Sequence, residues 1–278
     1  MKLKRPVFLI SVFLLGALTA CTSTKPTHPT LQATLWVQNA VEYDALTSMV
    51  YQSATDHLEA ALQNKTWTAS LEQEGEKFES LPPAIVLDID ETVLDNSPFQ
   101  ARMIEKNSGY DPVAWEQWVI EAQADPVAGA VEFTNTAADL GITVIYLSNR
   151  EGNTEEATRK NLEAVGFPVS DETDVVLLKN EQENWTSSKI ERRKHVASRY
   201  RILMLFGDDF NDFLPAKNIT EAERDALLEE YRSNFGERWF VLPNPVYGSW
   251  NDTVFNFDRT LSDEEREAFI EAHLNTKN

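Results

Sequence analysis

The sequence predicts an α/β fold: a Rossmann-like, doubly wound and mostly parallel sheet with a small helical cap and extra N-terminal helices. Two observations lead there. Segments that read as strands are apolar along their whole length and alternate with segments of helical periodicity, as strands buried on both faces do. Three of those runs then end in polar clusters: Asp88/Asp90, Ser148/Asn149/Arg150 and Asp208/Asp209/Asp212. In an open parallel sheet, ligands gather beyond the carboxyl ends of the strands, so the three clusters should meet on one edge.

The elements follow in chain order. Lys2, Lys4 and Arg5 form a positive start, and Pro6 to Leu18 an apolar run too short to span a bilayer comfortably. The run closes on Leu18-Thr19-Ala20-Cys21, which resembles the lipobox of bacterial lipoproteins, where the signal (1–20) is cut before a lipidated cysteine. Acyl chains on Cys21 would anchor the protein to a membrane without spanning it. Thr22, not Asp, follows the cysteine; by resemblance to lipoprotein sorting in Gram-negative bacteria this implies the outer membrane. A Thr/Pro-rich tether occupies 21–30, and a single domain over 31–278 follows.

From Leu31 to about Leu62, the residues Leu35, Val41, Leu46, Met49, Val50 and Leu58 recur at helical spacing, predicting one long helix or two outside the sheet. Pro82-Pro83 break the chain before a first strand, Ala84 to Leu87. An insertion at about 97–140 exceeds what one crossover helix needs and reads as a cap of short helices broken by Pro112 and Pro126. Gly141 to Arg150 is a second strand, followed by a helix with Asn153 as N-cap, Glu156 three residues on and Gly166 as stop. Asp174 to Lys179 is a third strand. The helix after it has Ser188 and Glu191 as a capping box. "RILMLFGDDFNDF" is a fourth strand ending in acids, and "RWFVLPNP" a fifth.

Composition narrows the partners. Asp and Glu number 45 against 25 Lys and Arg, a formal charge of −20 that becomes more negative when the basic leader is removed. So acidic a surface argues against nucleic-acid polymers and anionic membrane faces, and an anionic ligand would need a local cation. The single cysteine excludes an internal disulfide. His28, His57, His195 and His273 show no metal-ligand spacing and read as surface residues.

The polar clusters suggest a chemistry. Strand-end carboxylates from two strands make an oxygen-rich site of the hardness Mg²⁺ prefers. Asp88 can then attack phosphorus as a carboxylate nucleophile, and Asp90, on the same side of an extended strand, can protonate the leaving oxygen. Ser148, Asn149 and Lys189 supply a hydroxyl, an amide and an ammonium to hold a phosphate. Lys179, also at a strand end, is the alternative lysine. Trp118 and Trp250 read as packing aromatics and Asp209 as a surface neighbour.

"LDIDETVLDN" resembles motif I of the haloacid-dehalogenase superfamily in its phosphatase form. "VIYLSNR", "SSKIERR" and "FGDDFNDF" resemble motifs II, III and IV, in order. With "AWEQWV", "LPNPVYGSW" and the lipoprotein leader, the chain is similar to the class C acid phosphatases. That resemblance implies release of phosphate from nucleoside monophosphates and related esters. It implies Asp88 as nucleophile, Asp90 as general acid/base, and a metal held by Asp88, the main-chain carbonyl of Asp90, and Asp208. Asp212 would support that site, Ser148 and Lys189 would bind phosphate, and Trp115 and Tyr247 would sandwich a substrate base. Phe99 and Phe210 depart from the Tyr and Leu usual there. Other reactions of the superfamily fit less well. A dehalogenase needs neither Asp90 nor metal, a pump needs membrane helices, and an export signal removes a phosphomutase from its sugar phosphates. The remaining alternative is a non-enzymatic surface lipoprotein, an adhesin or ligand carrier, on a retired fold.

Overall fold

The computed structural model describes residues 27–258 and 260–277; the leader and Cys21 lie outside them. Two helices open the chain, α1 (Leu31–Asn39) and α2 (Val41–Gln63), separated at Ala40, which is extended. Strand β1 (Pro83–Leu87) enters the core, followed by the short β2 (Leu94–Asp95), α3 (Ser97–Lys106), α4 (Pro112–Glu121), β3 (Asp125–Pro126) and α5 (Ala130–Asp139). Then come β4 (Thr143–Glu151), α6 (Glu155–Ala164), β5 (Val176–Lys179), α7 (Ile190–Ala197), β6 (Arg201–Gly207), α8 (Glu221–Glu230) and β7 (Trp239–Val241). The outer helices α9 (Ser249–Val254) and α10 (Asp263–His273) close the chain.

The main sheet has the order β5-β4-β1-β6-β7, and every neighbouring pair in it is parallel. The predicted fold class is therefore the one observed. β1 lies at the centre, with Leu87 in register with Tyr146 of β4 and Phe206 of β6. The chain winds outward from β1 through β4 to β5, then returns to β6 and β7. That reversal makes the carboxyl end of β1 the switch point where such sheets bind ligands. Residues 84–87 carry no polar side chain and are buried. Tyr51 of α2 stacks on Phe206 at 5.6 Å, and Phe206 on Phe240 of β7 at 5.0 Å, joining α2 to the sheet.

Within the insertion, α3 packs on α1, α4 on α6, and α5 on α2 and β4 as the crossover helix. The two residues of β2 pair antiparallel with β3 at its neck. Pro112 starts α4 instead of breaking a helix. Proline lacks only an N–H that the first turn leaves unpaired anyway, and Asp111 caps the end by accepting from Ala114 N at 2.8 Å.

Two expected caps are different in the structure. Asn153 lies one residue before the N-cap of α6, Thr154, and its amide donates instead to Glu116 of α4 at 2.6 Å. α7 starts after Lys189, with no side-chain cap from Ser188. At Asn153 a contact with the distant α4 draws the amide away from local capping; at Ser188 the helix starts one residue later, so Lys189 occupies the N-cap position. The strand predicted from Gly141 starts at Thr143, because Gly141 has φ +75° and belongs to the preceding turn. Among the aromatics and histidines, Trp250 is 42 % exposed instead of packed in the core, while His195 is half-buried, edge-on to Trp185 at 5.1 Å.

Candidate active site

Asp88 directly follows β1, and its main-chain N–H still bonds to Phe206 O at 3.0 Å, so the sheet itself fixes its position. The chain then turns sharply. Glu91 has φ +57°, its N–H donates to Leu94 O, and Leu94 N donates back to Ile89 O, both at 2.9 Å. This turn brings Asp90 against the end of β4.

Across from Asp88, the loop after β6 presents Asp208 and Asp212. The carboxylates of Asp88, Asp208 and Asp212 offer oxygens that all lie within 4.8 Å of one another. Gly207 permits this, because a Cβ there would stand 2.2 Å from an Asp212 oxygen. Asp209 caps the turn at 210–212, accepting from Asn211 N at 2.9 Å, while Asp212 Oδ2 accepts from Asp209 N at 3.0 Å. Asp209 also accepts from Ser249 Oγ at 2.7 Å, so it holds the loop in place and is more than a surface neighbour. The Asn244 amide donates to Asp208 Oδ2 at 2.7 Å.

One ammonium enters this group. Lys189, 7 % exposed, ion-pairs with Asp88 and, at 2.5 Å, with Asp212. Burial alone would lower its pKa, but Asp212 and Asp88 outweigh that and raise it. The carboxylates remain under strain. Burial, against the opposing pull of Lys189, pushes Asp88 up to about 7, with Asp212 and Asp90 adding to the rise. Burial, then Asp212 and Asp88, raises Asp208 well above the carboxylate range. Three clustered carboxylates, two of them buried, have one ammonium, paired with Asp88 and Asp212, among them, and all the donors are hard oxygens. A divalent cation of the Mg²⁺ or Ca²⁺ type fits both the charge and the donor set. Lys179, the alternative lysine, pairs with Glu151 at 2.5 Å in a partly exposed bridge away from Asp88.

The Asp90 side chain lies outside the acidic cluster, which leaves it for proton transfer and is compatible with the expected role of its main-chain carbonyl toward a metal. Its Oδ1 accepts from Arg150 Nε at 3.0 Å and from Asn96 Nδ2 at 3.0 Å, and Arg150 Nη2 lies at 2.8 Å. Its Oδ2 accepts from Ser148 Oγ at 3.0 Å. Arg150 is 1 % exposed, and a guanidinium so buried needs a carboxylate partner. Asp90 is that partner. Asp212, expected only to support the site, is instead one of the three clustered carboxylates.

Ser148 is fully buried beside Asp90, whereas Asn149 is exposed at the mouth, its amide donating to Ser187 O at 3.1 Å. Trp115 is half-buried, its ring edge-on to Phe99 at 5.1 Å and 5.9 Å from Arg150 Cζ. Tyr247 has a different support. Its hydroxyl donates to Glu91 Oε2 at 2.8 Å, and its ring packs with Val37, Tyr43 and Val246. Each ring thus rests on its own neighbours.

Several residues of the site carry no sequence signal of their role. Asn96, fully buried, donates to Asp90 and to Glu91 Oε2 at 2.8 Å, and accepts from the Trp118 indole of α4 at 2.8 Å. Glu91 is pushed up to about 8 by burial and then by Asp90, against the donors Asn96 and Tyr247. Asn244, Arg192 and Arg193 were equally silent. Arg150 alone had a clue, its place in a strand-end cluster.

Comparison with known proteins agrees with this geometry. A family model described as HAD superfamily, subfamily IIIB (Acid phosphatase) matches residues 14–250. A solved structure of the class C acid phosphatase from Bacillus anthracis is similar at TM-score 0.78 and 33% identity, over 91% of this chain and 99% of that one. A crystal structure of that phosphatase with tungstate bound gives 0.79 and 34%, over 92% and 100%. Among curated proteins, the stem 28 kDa glycoprotein of Glycine max is 26% identical over 167 residues, 58% of each chain. Acid phosphatase 1 of Solanum lycopersicum is 26% identical over 165 residues, 58% of this chain and 57% of the relative. The chain thus spans less than two thirds of the length of these curated relatives. From the family match over most of its length, and a sheet that sets the motif residues on one edge, the chain belongs to the HAD superfamily, subfamily IIIB, the acid phosphatases.

Proposed function

We propose that the protein is a metal-dependent phosphomonoesterase acting through an aspartyl-phosphate. The observation that carries this reading is Asp88 at the switch point of the sheet, paired with Lys189 and clustered with Asp208 and Asp212. A bound Mg²⁺, held by Asp88, Asp208 and Asp212, would neutralise these carboxylates and draw charge from the phosphate oxygens. Asp88 forms a bond to phosphorus as the bond to the leaving oxygen breaks. Asp90 gives that oxygen its proton, then takes one from the water that attacks phosphorus, releasing phosphate and free Asp88. Ser148, Asn149 and Lys189 hold the phosphate oxygens. Tungstate, seen in the Bacillus anthracis relative, is a tetrahedral oxyanion of the same shape class.

Nucleoside monophosphates are the proposed substrate class, with Trp115 and Tyr247 stacking on the base. The leader adds anchoring in a bacterial outer membrane through lipidated Cys21. A non-catalytic ligand carrier gains no support from a site that keeps its clustered, mutually repelling acids, because such groups lower stability and are kept where function needs them.

The test is hydrolysis of a chromogenic phosphate ester with Mg²⁺, with excess chelator, and with Asp88→Asn. Turnover should vanish with chelator, return with Mg²⁺, and fall by more than about a hundredfold in the variant. An Asp88→Asn enzyme of near-normal activity, shown free of deamidation, would rule out the nucleophile.

A further inference from the structure

α7 and the residue before it bring three cations into the core: Lys189, Arg192 and Arg193, respectively 7 %, 0 % and 1 % exposed. Together they reach three strand ends. Lys189 reaches Asp88 after β1 and also Asp212. Arg192 reaches the end of β4: its Nη1 donates to the Ser148 carbonyl, and its Nη2 to Asn149 Oδ1 at 2.5 Å and to Thr186 O at 2.9 Å. Arg193 reaches the loop after β6, where Nη1 donates to the carbonyls of Asn211 at 3.2 Å and Asp212 at 3.1 Å. Its other edge is held by Glu72, at 3.0 Å from Nε and 2.9 Å from Nη2.

Successive residues on a helix point about 100° apart, so adjacent arginines can serve opposite sides of the central strand. Their acceptors are informative. A buried guanidinium is costly unless its donors are met, and well-packed apolar residues would often serve stability better. Yet Arg192 spends its bonds on carbonyl and amide oxygens and leaves Nε without a partner. What these bonds gain is a rigid fork that ties the end of β4 at Ser148–Asn149 to Thr186, just before α7.

We propose that α7 aligns the site and that its two arginines divide the task. Arg192 is a positioning residue for the phosphate-binding segment Ser148–Asn149, and Arg193 for the loop that presents Asp212 to the cation. Neither touches substrate. The proposal rests on the phosphate and cation assignments of the preceding subsection.

The division predicts separable losses. Calorimetric titration with Mg²⁺ alone, and with inorganic phosphate at saturating Mg²⁺, is compared for wild type, Arg192→Lys, Arg193→Lys and Glu72→Gln. Arg192→Lys should weaken phosphate about tenfold and leave Mg²⁺ within about twofold. Arg193→Lys and Glu72→Gln should do the reverse, in the range typical of groups that orient metal ligands. Equal losses of both ligands in every variant, or a lower melting temperature with neither constant changed, would make the arginines ordinary core residues. Buried arginine variants can fail to fold, so the guanidinium nitrogen-15 signals of the wild-type enzyme give a second reading. Phosphate should move those of Arg192, and Mg²⁺ alone those of Arg193; signals that move together or not at all overturn the proposal. A wild type that bound neither ligand would instead refute the assignments beneath it.

Discussion

Asp88 and Asp90 stand two residues apart and face different neighbours. Asp88 joins two other acids and an ammonium; Asp90 is held by Arg150, Asn96 and Ser148. Two carboxylates in different surroundings are the arrangement that lets one act as nucleophile and the other as proton carrier. Asn244 tests the cation side of this division. Its amide orients Asp208, and its Oδ1 accepts from Val246 N at 2.9 Å. Asn244→Ala should weaken Mg²⁺ about tenfold by calorimetry, as loss of an outer partner of a metal ligand does, with the chain still folded. Unchanged affinity would leave Asn244 as a turn residue only.

At the scale of elements, α4 is coupled to Asp90, the proposed proton carrier, through two side chains. The Trp118 indole donates to Asn96, whose amide donates in turn to Asp90 and Glu91. Trp118→Phe removes that one donor and little volume. A buried acceptor left short of a partner costs about 1–3 kcal/mol, so the melting temperature should fall modestly. A kinetic signature should accompany it. Poor leaving groups such as glycerol need the proton from Asp90 more than nitrophenolate does, so kcat for glycerol phosphate should fall several-fold more than kcat for p-nitrophenyl phosphate. Equal falls on both esters would confine Trp118 to packing.

For the whole molecule, selectivity among esters must come from outside the proposed phosphate site, which would treat all monoesters alike. Base stacking is worth ~1–3 kcal/mol in single-strand binding sites and tolerates any base. Nucleoside monophosphates should then exceed glycerol phosphate in kcat/KM by roughly ten- to a hundredfold. Trp115→Ala should remove most of that advantage and spare glycerol phosphate. Tyr247→Ala should reduce both, because Tyr247 also donates to Glu91 beside Asp90. Identical losses on both substrates in the Trp115 variant would place that ring in the packing. Anchoring is tested in cells: wild type should incorporate labelled fatty acid and Cys21→Ser should not.

The sequence alone determined the layer order of the fold and the identity of the acids at the strand ends. Both are local signals, since an apolar run that stops in carboxylates reads the same whatever surrounds it. The loop after β6 and the lysine before α7 were legible for that reason and because their motifs stand in order. Which acid meets which base depended on three dimensions. Nothing in "LDIDETVLDN" tells that Asp90 turns to Arg150 while Asp88 turns to Lys189, because the partners lie 60 and 101 residues away. The cap expected of Asn153 failed for the same reason, its amide being taken by Glu116 of α4. The N-terminus of a helix can be capped by several neighbours at similar cost, and a contact with another element, such as that of Asn153 with α4, decides which polar groups remain free to do it. Buried polar networks such as Asn96 and Arg192 are specified by packing, where a group removed from water must find its partner among whatever the fold brings close.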